Sequence, residues 1–322
     1  MPAPLLPVNR IVGLLPAIFG SLLAVCPCSS APRQQQVTLP ASVNSQLESR
    51  ADSGDPSARH QLQEFLASAD PASPGYDHAL AWLQSSASQN QPDAQFLLGC
   101  LYEHGKSLPR DFTKAAENYR LAALQGYAPA ETNLAALYRH GNGVPRDIAL
   151  AFYWYRLAAQ HGNPVAQQNL GTFFYLGFAT PVDYVEAARW FRASAEQGFA
   201  EGQNSLAHCY LKGIGVARDD SQAAHWALLA AEQGNPRSQA LLAYLYENGK
   251  SLPLDYVAAY AWYSLAVASG DNSDLTRLKA LSKVMTPTQI NKANSLISAQ
   301  ALALRIGSAL ATPVARVEFL KR

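Results

Sequence analysis

The sequence is poor in charged residues and lacks any block of like charge. Asp, Glu, Lys and Arg make up only 15% of its 322 residues, and the formal net charge is +1. A nucleic-acid-binding surface needs a basic stripe, and none is present, so nucleic acid is not an expected partner. Cysteine is also scarce, with four residues in the whole chain. The composition, nearly half apolar, is that of a globular chain.

A long apolar run is missing as well. The apolar segment Ile11–Val25 follows Arg10, is interrupted by Pro16 and has 15 residues, too few to span a membrane. Such a segment near the N-terminus is typical of a secretory signal. We therefore predict a signal peptide or lipoprotein signal over 1–30, and an exported protein that lies in the periplasm or is anchored at the outer membrane.

The residues before Cys26 leave two kinds of processing open. Leu23-Ala24-Val25-Cys26 resembles a bacterial lipoprotein cleavage site, after which Cys26 would be the lipidated first residue and a possible lipid anchor to the membrane. The alternative is ordinary cleavage nearby, for which Ala31 is a candidate. Valine directly before the cysteine departs from the usual small residue, so the sequence does not decide between the two.

A 36-residue repeat dominates the rest of the chain. Four sets of positions recur at this spacing, and a fixed period of this length indicates a solenoid. The sets are Gly126, Gly162, Gly198, Gly234 and Gly270; Gly105, Gly141, Gly177, Gly213 and Gly249; Asp111, Asp147, Asp183, Asp219 and Asp255; and Trp154, Trp190, Trp226 and Trp262, with Trp82 in register.

Each repeat reads as two helices. In 128–163, Ala130, Leu134 and Leu137 fall on one helical stripe, which predicts helix A, and Gly141 suits its C-terminal cap. Asp147 suits the N-cap of a second helix, helix B. Alanines beside a tryptophan favour close helix packing. The inward residues of helix B are predicted to be Ala151, Trp154, Tyr155, Ala158 and Ala159.

Two sequence motifs of this unit resemble those of a known repeat family. The runs G-N-G-V-P-R-D and A-F-Y-W-Y-R-L-A-A-Q-H-G resemble the Sel1-like repeat, a relative of the tetratricopeptide repeat, over about 55 to 300. The resemblance implies an all-α, right-handed α/α superhelical solenoid of about six repeats with terminal caps. It also implies a non-catalytic scaffold or adaptor that binds another protein or an extended peptide in a concave groove.

The predicted organisation follows the repeat and its two ends. Val43, Leu47 and Ala51 fall in the helix B register and predict a capping helix, while Leu275, Leu278 and Leu281 form a separate stripe after the last repeat. The predicted boundaries are a signal over 1–30, a linker over 31–40, an N-terminal cap over 41–54, six repeats over 55–270, capping helices over 271–300 and an uncertain tail over 301–322.

Motifs for catalysis or for binding cofactors and metals are sparse. His104 and His140 share one register without a third ligand, and the repeated aspartates are explained by helix capping. Cys100 and Cys209 lie three repeats apart, too far for a disulfide. We therefore expect no catalytic residue, cofactor or metal. The alternative function is an envelope protein that binds a cell-wall fragment, or binds or hydrolyses a β-lactam, as has been suggested for cysteine-rich relatives.

The candidate partner surface lies on helix A. The positions of Leu134 and Tyr138 are apolar in every strong repeat and are predicted to face the core. Positions on the other side of the helix vary between repeats and are predicted to form an exposed strip. Large apolar groups gather near the end of the helix A that contains Tyr175. The predicted partner-binding residues are Tyr175, Leu176, Phe178, Leu211, Asn133, Asn169, Thr172, His208 and Tyr244.

Overall fold

The computed structural model describes residues 41–105 and 107–306, and every regular element in these ranges is an α-helix. The predicted all-α class is therefore confirmed. The helices are α1 Ala41–Asp52, α2 Pro56–Ser68, α3 Tyr76–Ser88, α4 Pro92–His104, α5 Phe112–Ala123, α6 Ala128–His140, α7 Ile148–Gln160, α8 Pro164–Leu176, α9 Tyr184–Glu196, α10 Ala200–Lys212, α11 Asp220–Glu232, α12 Pro236–Asn248, α13 Tyr256–Ala268, α14 Leu275–Val284 and α15 Pro287–Ile306.

The chain divides into two compact units between Val182 and Asp183. The first contains helices α1 to α8 within the described residues, and the second contains α9 to α15. In both units helix A and helix B alternate along the sequence. The A helices are α4, α6, α8, α10 and α12, and the B helices are α5, α7, α9, α11 and α13.

Local backbone chemistry fixes the two ends of the loop between helix A and helix B. Gly141 ends α6 with a φ of 77°, a left-handed conformation that a residue with a Cβ adopts only at a cost. Asp147 precedes α7 in extended conformation, and its carboxylate accepts a hydrogen bond from the backbone N–H of Leu150 at 2.9 Å. Asp111, Asp183, Asp219 and Asp255 cap their helices similarly, which confirms the capping role predicted from the sequence.

The core of the first unit lies where each helix A meets the B helices packed against it. Helix α6 contacts both α5 and α7, and Leu134, Tyr119 and Tyr155 are almost wholly buried. Trp154 is partly buried and packs against this core, whereas Trp82 is 7% exposed. The predicted packing role of these indoles is therefore confirmed.

The second unit ends in the two helices that follow the last repeat. Helices α14 and α15 both pack on α13, and Leu281 and Ala293 lie in the buried cluster that also contains Trp262. Pro287 occupies the first turn of α15, where its missing N–H leaves no hydrogen bond unmade.

Several predictions made from the sequence fall outside the described residues. They are the signal over 1–30, including Cys26, the linker over 31–40 and the part of the tail beyond Ile306. Among the helices of the described ranges, none is both long and apolar enough to cross a membrane.

Candidate functional site

Helix A is more buried than its sequence suggested. In α6 the eight consecutive residues 130–137 are all buried, and 166–173 of α8 are buried as well. Eight residues make more than two helical turns, so these stretches are enclosed on every side. Four predicted surface residues therefore do not lie on an exposed strip, and that expectation was wrong: Asn133, Asn169, Thr172 and His208 are 1%, 2%, 2% and 9% exposed.

The buried polar residues of helix A join helices to one another. Gln95 at the start of α4 donates to the carbonyl oxygen of Ala87 in the preceding repeat at 3.1 Å, and Gln125 after α5 of the same repeat donates to Gln95 Oε1 at 2.9 Å. In the second unit, Ser238 donates to Asn204 Oδ1 at 2.9 Å. Hydrogen bonding offsets the cost of burying such groups. These positions bind the repeats together rather than contacting a partner.

One predicted group does reach the surface, at the end of α8. Leu176 and Phe178 are each 37% exposed and Val182 is 51% exposed. Beneath them the ring of Phe173 is buried, and its centroid lies 5.6 Å from that of Phe178 and 6.1 Å from that of Phe152. We call Phe152, Phe173, Phe174, Leu176, Phe178 and Val182 the α8 apolar cluster. Tyr175 is half-buried beside it.

The helix cap explains why this cluster is held in place. Gly177, with a φ of 73°, ends α8, and the N–H of Phe178 donates to the carbonyl oxygen of Phe173 at 3.0 Å. This bond closes a Schellman-type cap, in which the residues at its two ends make an apolar contact. The Phe178 ring is therefore anchored edge-on against Phe173 while part of it faces solvent. The cluster is a fixed surface feature.

The two remaining predicted residues lie in the second unit and are half-buried. Leu211 packs against the core of that unit. Tyr244 packs there too, and its hydroxyl oxygen accepts a hydrogen bond from Lys250 Nζ at 2.8 Å. Neither residue presents a large apolar area to solvent.

A second exposed apolar surface, which was not predicted from the sequence, lies on the B helices. Leu121 and Leu124 near the end of α5 are 46% and 67% exposed, and Leu150 and Tyr153 of α7 are 39% and 43% exposed. Each pair is spaced by three residues, so its members lie on the same side of their helix. The signal was present in the sequence, because these positions are polar in some repeats and apolar in others.

Groups with chemical reactivity are few in the part of the chain that the structure describes. No three His, Cys, Asp or Glu side chains come together there in a way that could hold a metal. Cys100 and Cys209 are free and buried, and burial raises the pKa of the Cys209 thiol to about 12. Burial lowers the pKa of His208 to about 4, assisted by the nearby charges of Lys212 and Arg237. His208 is therefore neutral at physiological pH.

Repeated helix pairs with capped loops and a shared core define the class of α-solenoid repeat proteins. Within that class the chain belongs to the Sel1 repeat family, which matches six consecutive segments. Sel1 repeat proteins are generally protein-interaction scaffolds. The matched segments are 69–91, 92–127, 128–163, 164–199, 200–235 and 236–271.

Solved structures resemble this fold, among them the following two. One is a protective antigen present in uropathogenic Escherichia coli strains, with an SLR fold: it is 29% identical with a TM-score of 0.66, and the match covers 81% of this chain and 58% of the antigen. The other is a Sel1 repeat protein from Oxalobacter formigenes, 30% identical with a TM-score of 0.60, and the match covers 68% of this chain and 90% of that protein. A search of curated proteins gave no match.

Proposed function

We propose that this protein is a non-catalytic scaffold that binds another protein through the α8 apolar cluster. The observation that carries the proposal is the exposure of Leu176, Phe178 and Val182 above the buried ring of Phe173. Exposed groups of this kind, held on a rigid support, are typical of protein-binding sites, and aromatic residues tend to dominate the binding energy. The general role of Sel1 repeats in protein interactions supports the same assignment.

We further propose that the scaffold works in the bacterial cell envelope. The support is the apolar segment Ile11–Val25 behind Arg10, together with the cysteine at position 26. A bound acyl chain contributes about 0.8 kcal/mol per buried methylene. If Cys26 is lipidated, Cys26→Ser releases the protein from the membrane fraction into the soluble envelope fraction. Soluble fractionation of both forms would exclude lipidation.

The binding proposal is tested by placing a charge in the cluster. Leu176 is 37% exposed, so Leu176→Asp places a charge at the surface of the cluster, and the melting temperature reports any effect on the core. We expect it to weaken capture of the partner from envelope extract by roughly 2 kcal/mol, as loss of a central apolar contact does. Leu124→Asp is the matched control, since Leu124 directly follows α5 in the same unit and is 67% exposed.

The outcomes distinguish binding through either of the two surfaces from a loss of the folded state. Loss of capture with Leu176→Asp alone, at unchanged melting temperature, supports the α8 apolar cluster. Loss with Leu124→Asp alone would assign the partner to the B-helix surface instead. An effect of zinc or of a β-lactam on the purified protein would favour the alternative function, an envelope protein that handles cell-wall fragments.

A further inference from the structure

Two repeats each contain a tyrosine–glutamate pair that links helix A to helix B. In the first unit the Tyr119 hydroxyl on α5 donates to Glu103 Oε2 on α4 at 2.5 Å. In the second unit the Tyr263 hydroxyl on α13 donates to Glu247 Oε2 on α12 at 2.9 Å. Both tyrosines are fully buried, and both lie 16 residues after their glutamate. A carboxylate is thus the normal acceptor for a tyrosine in this register.

The repeat between residues 128 and 163 keeps the tyrosine and replaces the glutamate. Tyr155 is fully buried, yet its hydroxyl has no hydrogen-bond partner. The position 16 residues earlier is Arg139, which can only donate hydrogen bonds. A buried hydroxyl without a partner is unusual, because most buried polar side chains are hydrogen-bonded.

Arg139 is itself without a counter-ion. It is half-buried, and no carboxylate of the described residues lies within 4.0 Å of it. Burial lowers the pKa of its guanidinium, and Arg146 lowers that pKa further. The neighbouring His140 also has a lowered pKa, caused by burial first and then by Arg139 and Arg146. Arg139 therefore lies among further cationic groups at the end of α6, and it interacts electrostatically with Tyr155 on α7.

The second unit contains the complete version of this arrangement. Arg277 Nη1 lies 3.3 Å from Glu247 Oε2 and 3.3 Å from the hydroxyl oxygen of Tyr263. One carboxylate there is bound by a tyrosine and an arginine together. The site at Tyr155 has the tyrosine, no carboxylate, and an arginine that occupies the position of Glu247 rather than that of Arg277.

We propose that Arg139 and Tyr155 form a binding site for a carboxylate supplied by another molecule. The guanidinium pairs with the carboxylate and the phenol donates to it, as Arg277 and Tyr263 do for Glu247. The tyrosines of the sister repeats are equally buried and donate to half-buried glutamates, so a carboxylate at the position of Arg139 is within reach of the hydroxyl. The carboxylate is either a small free acid or an acidic side chain of a bound protein, and the site does not depend on the α8 apolar cluster.

Titration of the full chain tests this site directly. The Arg139 Nε–Hε signal in the ¹H–¹⁵N spectrum is assigned by its absence in Arg139→Lys. We expect sodium acetate to shift it and sodium chloride at equal ionic strength to leave it in place. Two short blocked peptides, Gly-Glu-Gly and Gly-Gln-Gly, distinguish the source. A glutamate peptide that binds tighter than acetate indicates an acidic protein segment, and equal affinity indicates a small free acid.

Two variants supply the controls. Arg139→Glu restores the pair found in the sister repeats, so its melting temperature should rise and no longer respond to acetate. Tyr155→Phe removes the hydroxyl and should weaken acetate binding about tenfold, in line with the loss of a hydrogen bond to a charged group. The site is refuted if chloride matches acetate, if sulfate shifts the signal and carboxylates do not, or if Tyr155→Phe binds acetate as the wild type does.

Discussion

Glu131 Oε2 lies 2.9 Å from His161 Nδ1, and this contact joins the start of α6 to the end of α7 within one repeat, with ionisable groups where the sister repeats use amides. At the same register Gln125 donates to Gln95 at 2.9 Å and Gln233 donates to Gln203 at 2.8 Å. The Glu131 side chain is 1% exposed. Glu131 is thus an ionisable residue at a buried position where Gln95 and Gln203 are neutral amides.

Glu131→Gln should stabilise the protein at neutral pH. Burial raises the pKa of Glu131 above its usual value of 4.5, although His161 partly offsets this. A raised pKa in the folded state gives a contribution to stability that is present below the unfolded pKa and lost as pH rises through the folded one. The amide can also donate to Ala123, as Gln95 donates to Ala87. We expect a gain of about 1 kcal/mol in the free energy of unfolding.

Urea unfolding at pH 5 and pH 8 measures this effect. The difference between variant and wild type should be larger at pH 8 than at pH 5, because the raised pKa of Glu131 makes its contribution to stability fall as pH rises. Gln203→Glu is the reverse change in the second unit and should destabilise. A Glu131→Gln protein less stable than the wild type at pH 8 would show that the pair with His161 outweighs the cost of burial.

Gly143→Ala should destabilise more than Gly162→Ala. Both glycines have a positive φ, 68° and 85°, so both substitutions cost about 1 kcal/mol or more in backbone strain. A Cβ on Gly143 would meet the carbonyl of Phe112 at 2.2 Å, whereas a Cβ on Gly162 meets nothing within 4 Å. Backbone of the preceding repeat cannot easily move aside. Equal losses of melting temperature would contradict this close approach.

His208 should make the folded protein sensitive to acid. Its pKa of about 4 in the folded state lies below its usual 6.5, so the unfolded chain binds the proton more readily. The contribution to stability is present above pH 6.5 and is lost as pH falls towards 4, by about 3 kcal/mol in total. Burial is the main cause of the lowered pKa, and the charges of Lys212 and Arg237 lower it further.

His208→Thr removes this titration and installs the residue found at Thr172, whose hydroxyl donates to a carbonyl of its own helix at 3.0 Å. Urea unfolding at pH 7 and pH 4.5 should show a smaller loss for the variant than for the wild type. Parallel losses would assign the acid sensitivity to other groups.

Much of the fold could be predicted because each repeated signal acts locally. Asp147 caps α7 and Gly141 ends α6 through their own backbone geometry, so register alone located both helices. Aligning the repeats also shows that Arg139 is exceptional among those that contain a tyrosine at the position of Tyr155. Glu103 and Glu247 occupy the same position in their own repeats, each paired with a tyrosine. That signal was readable from the sequence, but the free hydroxyl of Tyr155 became visible only with the packing known.

The candidate surface was harder to predict, since burial depends on several helices at once. Asn133 and Asn169 are polar, and the position that they share is occupied by other residue types in other repeats. This is the pattern of a solvated helix face. In the structure both are enclosed and have interaction partners, as most buried amides do. Leu176 and Phe178 were found because large apolar groups beyond the enclosed stretch of α8 have no core position left to occupy.

Site-specific photo-crosslinking tests the scaffold proposal most directly. A benzoylphenylalanine at position 178 replaces one aromatic ring with another in the α8 apolar cluster, and the same residue at position 124 reports on the B-helix surface of the same unit. Illumination in cells should yield one discrete adduct with another protein from position 178 and none from position 124. Adducts from position 124 alone, or from neither position while the protein remains folded, would contradict binding through the α8 apolar cluster.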